Sequence, residues 1–350
     1  MREHVPPRLS LAQTPTPIHK LSHLTELLGG PEIWIKRDDL TGCAASGNKV
    51  RKLEFLLADA LRQGADVVVT CGGLQSNHAR ATAVMARRLG LLPHLILRGN
   101  PPASTPDGNL FLDGLLGAEL TFVTEKEYRE HLDEIFAEVR RKYEASGRRA
   151  YLIPEGGSNE LGAFGYVRTT REIVEQLRLE RTRVDFIVTA VGSGGTLAGL
   201  LLGKRLYSLD AEILGINVCE TAEYFQDRIM GIVRAMAERY HLGLGITRED
   251  VKIIDGYVGL GYAESRPEEL DLIRDVSRLE GIILDPVYTG KAMFGLLDQI
   301  RRGRFSKKDR VLFLHTGGLF GLFAKRDQIR LDVEGTPSLE SWRHQQRPEA

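Results

Sequence analysis

The sequence predicts an α/β protein built on open, mostly parallel sheets and divided into two domains. Three observations lead there. At 350 residues, 42% of them hydrophobic and 27% charged, the chain is long enough to bury more than one core. Short β-rich runs alternate with longer helical periodicities along its length. Several of those runs are apolar without alternation and end in glycines, as expected of buried parallel strands whose C-terminal loops form a ligand crevice.

In chain order the strand candidates are "WIKRD" from 34, "DVVVTCGG" from 66, "PHLILRG" from 93, "LTFVT" from 120, "AYLIPEGG" from 150, "DFIVTAVGSGG" from 185, "EILGINV" from 212 and "RVLFLHTGG" from 310. The first long helix follows "SGNKVRKLEF" (46–55), where Leu53, Leu56, Leu57, Ala60 and Leu61 repeat at helical spacing, with Asn48 as N-cap and "QGAD" as the stop. Further helices are predicted over 77–90, 125–147, 161–178, 194–206, 222–240, 267–280 and 290–303. The end, "EGTPSLESWRHQQRPEA", loses apolar periodicity, so residues 331–350 are expected to form a peripheral tail.

Composition narrows the function. Lys+Arg and Asp+Glu are balanced at 47 each, which leaves no global field to attract nucleic acid or an anionic membrane. No stretch approaches the ~20 apolar residues of a membrane span, and the N-terminal segment lacks an uninterrupted apolar run. Cys43, Cys71 and Cys219 are too scattered for a disulfide framework or zinc site. A cytoplasmic protein with free thiols and no metal is the expectation.

The start of the first long helix is oddly charged. Lys49, Arg51 and Lys52 crowd a turn whose exposed N–H groups already favour anions. A complementary feature is "VGSGGTLAGL" (191–200), a strand, glycines with Ser193 and Thr196, then a helix. That is a sound phosphate cup or a plain structural turn. Leu197, Ala198 and Arg205, together with Val191, break the dinucleotide, P-loop and nucleophile-elbow patterns. In "CGGLQSNHAR" (71–80), Ser76, Asn77 and His78 gather where a helix begins, fit either to grip a carboxylate or to cap. "LDPVYTGKAMFGL" (284–296), "FLHTGGLFGLF" (313–323) and the loop bearing Tyr262 are ordinary loops or walls of the same crevice. Together these parts suggest a phosphate-bearing cofactor beside a lysine activated by desolvation and nearby cations, able to form a Schiff base; Lys49 fits that description.

In this order, "KRDD", "SGNKVRKLEF", "GGLQSNHAR", "IPEGGSNELGAFGY", "GSGGTLAGL", "DPVYTGKAM" and "LFLHTGG" resemble the family of D-cysteine desulfhydrases and 1-aminocyclopropane-1-carboxylate (ACC) deaminases. These are pyridoxal-phosphate enzymes with the tryptophan-synthase-β-like fold (fold type II), and the resemblance spans about residues 8 to 326. It implies that Lys49 bonds the cofactor, Lys52 contacts its phosphate, and Gly192, Ser193, Gly194, Gly195 and Thr196 form the phosphate cup. Asn77 would meet the cofactor's 3-hydroxyl. Ser76 and its neighbours Asn77 and His78 would hold the substrate carboxylate, while Tyr262 and Tyr288 flank the reacting carbons. A homodimer is also implied, as is a larger cofactor domain (1–52 and 164–330) enclosing a smaller one (53–163).

Two positions speak to the substrate. Deaminases of the family carry Glu at the place of Thr289 and Leu at that of Thr316, whereas desulfhydrases carry hydroxyl residues, as here. A threonine hydroxyl near the pyridine nitrogen suits β-elimination, where a good leaving group departs and little charge gathers on the ring. The resemblance therefore implies conversion of D-cysteine to pyruvate, sulfide and ammonia, with the Cα proton taken by Lys49 or Tyr288. Ser46, Leu319, Phe320 and Glu220 depart from the desulfhydrase pattern and are expected close to the substrate. The alternatives are ACC deamination, elimination from another β-substituted amino acid such as cysteate, an NAD-binding oxidoreductase, and a non-catalytic ligand-binding protein.

Overall fold

A computed structural model describes residues 5–243 and 245–331. Strands β1 (Ile18–Lys20) and β2 (Glu32–Arg37) open the chain, followed by β3 (Val67–Gly73), β4 (Leu92–Arg98), β5 (Glu119–Val123) and β6 (Ala150–Leu152). The second half supplies β7 (Phe186–Val191), β8 (Glu212–Asn217), β9 (Lys252–Ile254) and β10 (Arg310–His315). Two sheets result, one of six strands in the order β1-β2-β10-β7-β8-β9 and one of four in the order β5-β4-β3-β6. Among the described strands only the β1–β2 pairing is antiparallel. The parallel strands need crossovers, and helices supply them.

Those helices are α1 (Ser22–Leu28), α2 (Asn48–Arg62), α3 (Asn77–Arg88), α4 (Gly108–Leu115), α5 (Glu125–Glu130), α6 (Leu132–Ala145), α7 (Phe164–Leu179), α8 (Gly195–Leu206), α9 (Ala222–Tyr240), α10 (Pro267–Glu280), α11 (Thr289–Arg301) and α12 (Leu319–Phe323). The apolar stripe of α2 enters the largest core, with Val50, Leu53, Leu56 and Leu57 fully buried beside residues of α7 and α8. Glycine permits that close packing. A Cβ on Gly165 would stand 2.6 Å from the Arg51 carbonyl carbon, and one on Gly199 would stand 2.2 Å from the Ala163 oxygen.

Arg51 turns away from the crevice. Its guanidinium grips Asp38 through Nε and Nη2 at 2.8 and 2.7 Å and reaches Glu172 Oε2 at 2.9 Å, locking α2 to the end of β2 and to α7 in a buried bidentate pair. One cation of the crowded first turn thus has a structural counter-charge. Of the other two, Lys49 lines the crevice, and Lys52 is buried against Gly156 and Ser158.

Some expectations need correction. Asn48 does not cap α2: Gly47 does, at φ +103°, because its backbone runs against the Thr316 oxygen, where a Cβ would come within 2.7 Å. The helix expected over 125–147 is two, divided at His131. The short β1 and β9, and helices α1, α4 and α12, are additional to the expected elements. Apart from Leu331, the tail at 331–350 lies outside the described residues. Among the described residues no helix is long and apolar enough to cross a membrane, and no group of three His, Cys, Asp or Glu could hold a metal.

Candidate active site

The crevice forms where the C-terminal ends of strands from both sheets meet, the usual ligand position in open parallel sheets. Lys49, Ser76, Asn77, His78, Gly192, Ser193, Gly194, Thr196, Tyr262, Tyr288 and Thr316 all line it. Segments nearly 270 residues apart in the chain are therefore neighbours.

Lys49 stands on the first turn of α2, which is fastened to the strand end after β10 by the Asn48 N–H to Thr316 oxygen bond of 3.1 Å. The Asn48 side chain donates to Thr196 Oγ1 at 3.1 Å, joining that turn to the glycine loop. Lys49 Nζ lies 3.0 Å from Asn48 Oδ1 and 5.5 Å from the centre of the Tyr288 ring. Burial pushes its ammonium down to about 8, against the opposing pull of Asp285 and Glu155. An amine so poised is partly neutral near physiological pH.

Lys52, one turn on, is buried and donates to Gly156 O at 3.2 Å and Ser158 Oγ at 2.9 Å. No carboxylate pairs with it among the described residues, and burial, with Lys49 and Arg228 nearby, drives its ammonium well below the ordinary lysine range. Ser158 is the hub that sequence reasoning missed, although it lies inside the quoted "IPEGGSNELGAFGY". Its hydroxyl accepts from Lys52 and from the Gly195 N–H at 3.3 Å, and meets Ser193 Oγ at 2.8 Å. A Cβ on Gly195 would stand 2.7 Å from that same oxygen. Gly194 caps α8 at φ +85°, so the loop presents bare backbone beside an unpaired cation, and the first-turn N–H groups of α8 point the same way. Such an arrangement suits an anion.

On the facing side Ser76 does cap α3, accepting from the Ala79 N–H at 3.1 Å, and also lines the crevice. Both readings of that residue therefore hold. His78 is fixed in one tautomer: Thr70 Oγ1 donates to Ile153 O at 2.9 Å, so it accepts from His78 Nε2 at 2.9 Å, and Nδ1 is left a buried acceptor without a partner. Burial, reinforced by Lys49 and Lys52, holds that imidazole neutral. The Tyr288 ring packs on Gly192, where a Cβ would lie 2.6 Å from Tyr288 Cε1. Tyr262 and Tyr288 join through their hydroxyls. Burial raises the first to about 12 and the second well above the ordinary phenol, so both stay protonated.

Thr316 lines the crevice, and its hydroxyl has no protein partner among the described residues. Thr289 does not line it. Its hydroxyl donates to Asp285 Oδ1 at 2.7 Å and accepts from the Asp285 N–H at 2.7 Å, one layer behind the wall. Asp285 also gathers the N–H groups of Val287, Tyr288 and Thr289, and so holds the Tyr288 loop. Of the four departures from the desulfhydrase pattern, Glu220 alone reaches a ligand space, an outer cavity of about 720 Å³ that shares Gly192, Glu155 and Tyr262 with the crevice. Ser46 and Phe320 instead touch Arg80, behind α3, and Leu319 lies on the partly exposed α12.

Residues 9–317 match the family described as pyridoxal-phosphate-dependent enzymes. The chain belongs to that family. Among its relatives, a putative ACC deaminase of Thermotoga maritima is 47% identical over 92% of this chain and 99% of its own length. The D-cysteine desulfhydrase of Yersinia pestis is 44% identical over 92% and 97%. A solved ACC deaminase homologue superposes with a TM-score of 0.82 at 39% identity, covering 96% of each chain, so the fold is that of the type II pyridoxal-phosphate enzymes. Membership displaces the NAD-binding alternative. The buried Lys52 and the bare glycine loop fit the phosphate of pyridoxal phosphate, and the partly neutral Lys49 fits its aldehyde.

Proposed function

We propose that this pyridoxal-phosphate enzyme is a lyase catalysing β-elimination from a small amino acid, foremost D-cysteine, to pyruvate, sulfide and ammonia. The observation that carries the reading is the unpartnered Thr316 hydroxyl on the crevice wall: where a ring nitrogen meets a neutral hydroxyl, the electron sink is weak and a good leaving group is favoured. The relative in Yersinia pestis bears the matching name, and one in Arabidopsis thaliana, 44% identical over 91% of this chain, is named for both desulfhydrase and ACC deaminase activities.

The residues divide the work as follows. Lys52, Ser193 to Thr196 and the start of α8 would hold the phosphate, while Asn77 would donate to the 3-oxygen and Thr316 would meet the ring nitrogen. Ser76, with the N–H groups of Asn77 and His78, holds the substrate carboxylate. The bound cofactor supplies electron withdrawal from the substrate Cα. Lys49, its amine partly neutral, would take the Cα proton. Tyr288, kept protonated and backed by Tyr262, gives a proton to the departing sulfur. Thr289 acts through Asp285 rather than by touching substrate. A cytoplasmic homodimer completes this reading; the three cysteines, all free, accord with a reducing compartment.

The names of the Thermotoga and Arabidopsis relatives favour ACC deamination as a second reading. Borohydride reduction followed by peptide mass analysis tests the foundation: the pyridoxyl adduct belongs on Lys49, and an adduct on Lys52 would refute the assignment. Sulfide and 2-oxo-acid assays across D-cysteine, L-cysteine, cysteate and ACC then decide the substrate. An adduct with no product from any of them favours a non-catalytic binding protein.

A further inference from the structure

Behind Asn77 stands a residue to which the proposed chemistry gives no part. Asn109, on the first turn of α4, is fully buried. Arg80 Nε donates to Asn109 Oδ1 at 2.7 Å. A guanidinium offers only donors, so that contact fixes which end of the Asn109 amide is oxygen. Its Nδ2 must then face the other way, where it donates to Gln75 O and to Asn77 Oδ1, each at 3.0 Å. Asn77 has thereby spent its oxygen. Its own Nδ2 remains as the end of the amide free for the crevice, on the side where a Cβ at Gly318 would lie 2.9 Å from it.

We propose that Asn109 is a positioning residue that, held by Arg80, sets the Asn77 amide as a hydrogen-bond donor toward the cofactor's 3-oxygen. The inference rests on the assignment of Asn77 to that oxygen. Arg80 is equipped for such a task. It is completely buried, donates to the carbonyls of Ala44 and Ser46 just before Lys49, and lies over the Phe320 ring at 4.9 Å. No acid pairs with it at ion-pair distance among the described residues. One guanidinium therefore ties the turn before Lys49 to the start of α3, and Asn109 carries its directionality onward. Ser46 and Phe320, the departures from the desulfhydrase pattern, are its neighbours rather than the substrate's.

A donor to the 3-oxygen stabilises its anionic form and so lowers the pH at which the cofactor bound to Lys49 loses its proton. Asn109→Asp presents acceptors on both sides, and the Asn77 amide must turn, bringing its own oxygen to the cofactor. Absorbance of the bound cofactor, titrated against pH without any amino acid, reads the result. The midpoint should rise by about one unit or more in Asn109→Asp and by less in Asn109→Ala, where Asn77 is merely released. In an Asn77→Ala background both shifts should vanish, because the effect passes through that amide. Unmoved midpoints in both Asn109 variants would overturn the relay. A shift of undiminished size in the Asn77→Ala background would also overturn it, showing the new charge acting directly. Should Asn109→Asp fail to fold, the alanine variant and the cycle built on it carry the test. If Asn77→Ala alone leaves the midpoint in place, the assignment of Asn77 fails first, and the relay with it.

Discussion

The hydroxyls of Tyr262 and Tyr288 meet at 2.8 Å on the wall opposite Lys49. Each phenol is the other's partner, and burial keeps both protonated. The pair is a reservoir of one transferable proton rather than a base. Tyr288→Phe should therefore lower kcat by about 10²-fold, the usual scale of a general acid's contribution. It should leave in place the rise of activity expected near pH 8 from deprotonation of Lys49. A midpoint that moves with Tyr288→Phe would reassign that limb to the phenol. Tyr262→Phe, which removes only the backing hydrogen bond, should cost less.

Lys52 predicts opposite changes in two measurements. Its buried ammonium lacks a counter-charge until phosphate arrives, so Lys52→Met should leave the cofactor-free protein no less stable while weakening cofactor binding by about 100-fold. Urea midpoints of the cofactor-free protein and cofactor titration give the two numbers. Equal losses in both would show that Lys52 is structural.

Thr316 and Thr289 separate in the same way. Thr316→Leu removes the free hydroxyl at the crevice and should lower turnover of D-cysteine by about tenfold or more with little change in stability. Thr289→Glu drives a carboxylate against buried Asp285 and should cost on the order of 2–4 kcal/mol of stability before any effect on chemistry is seen. Thermal unfolding beside steady-state kinetics distinguishes them.

Asp113, on α4, has no part in the chemistry but predicts a pH dependence of stability. It is fully buried, neither carboxylate oxygen has a partner among the described residues, and burial pushes it up to about 8, with Arg80 pulling back. The unfolded chain releases this proton near the ordinary value of 3.8 and the folded chain near 8. Between those values the folded state binds more protons, so stability declines as pH rises through the interval. Asp113→Leu should flatten that decline and raise stability at pH 8 by on the order of 2 kcal/mol. Urea unfolding at pH 5 and pH 8 measures both effects, and an unchanged slope would place the titration elsewhere.

Much of the fold was legible because its strands are uninterrupted apolar runs closed by glycines, and because α9 and α10 carry unbroken helical periodicity to their ends. The glycine loop, the paired lysines and the Ser76 cluster were visible for the same reason, each occupying one contiguous segment. What escaped depends on contacts between segments. Ser158 becomes a hub only when α2 and the 192–195 loop close on it, and Asn109 matters only because α4 packs beside α3. Strands β1 and β9, three residues each, are too short for any period to show. Asn48 looked like a cap because its composition suits one, but the close approach of Thr316 demanded glycine at the preceding position.

The unpaired ammonium of Lys52 also bears on how the protein fares before it works. A ligand that binds only the folded chain adds stability in step with its concentration, about 2.7 kcal/mol at 100 times Kd. Chains made when the vitamin-derived cofactor is scarce would lack that increment, and would unfold more often and meet proteases sooner. The amount of enzyme in the cell would then follow cofactor supply without any dedicated sensor.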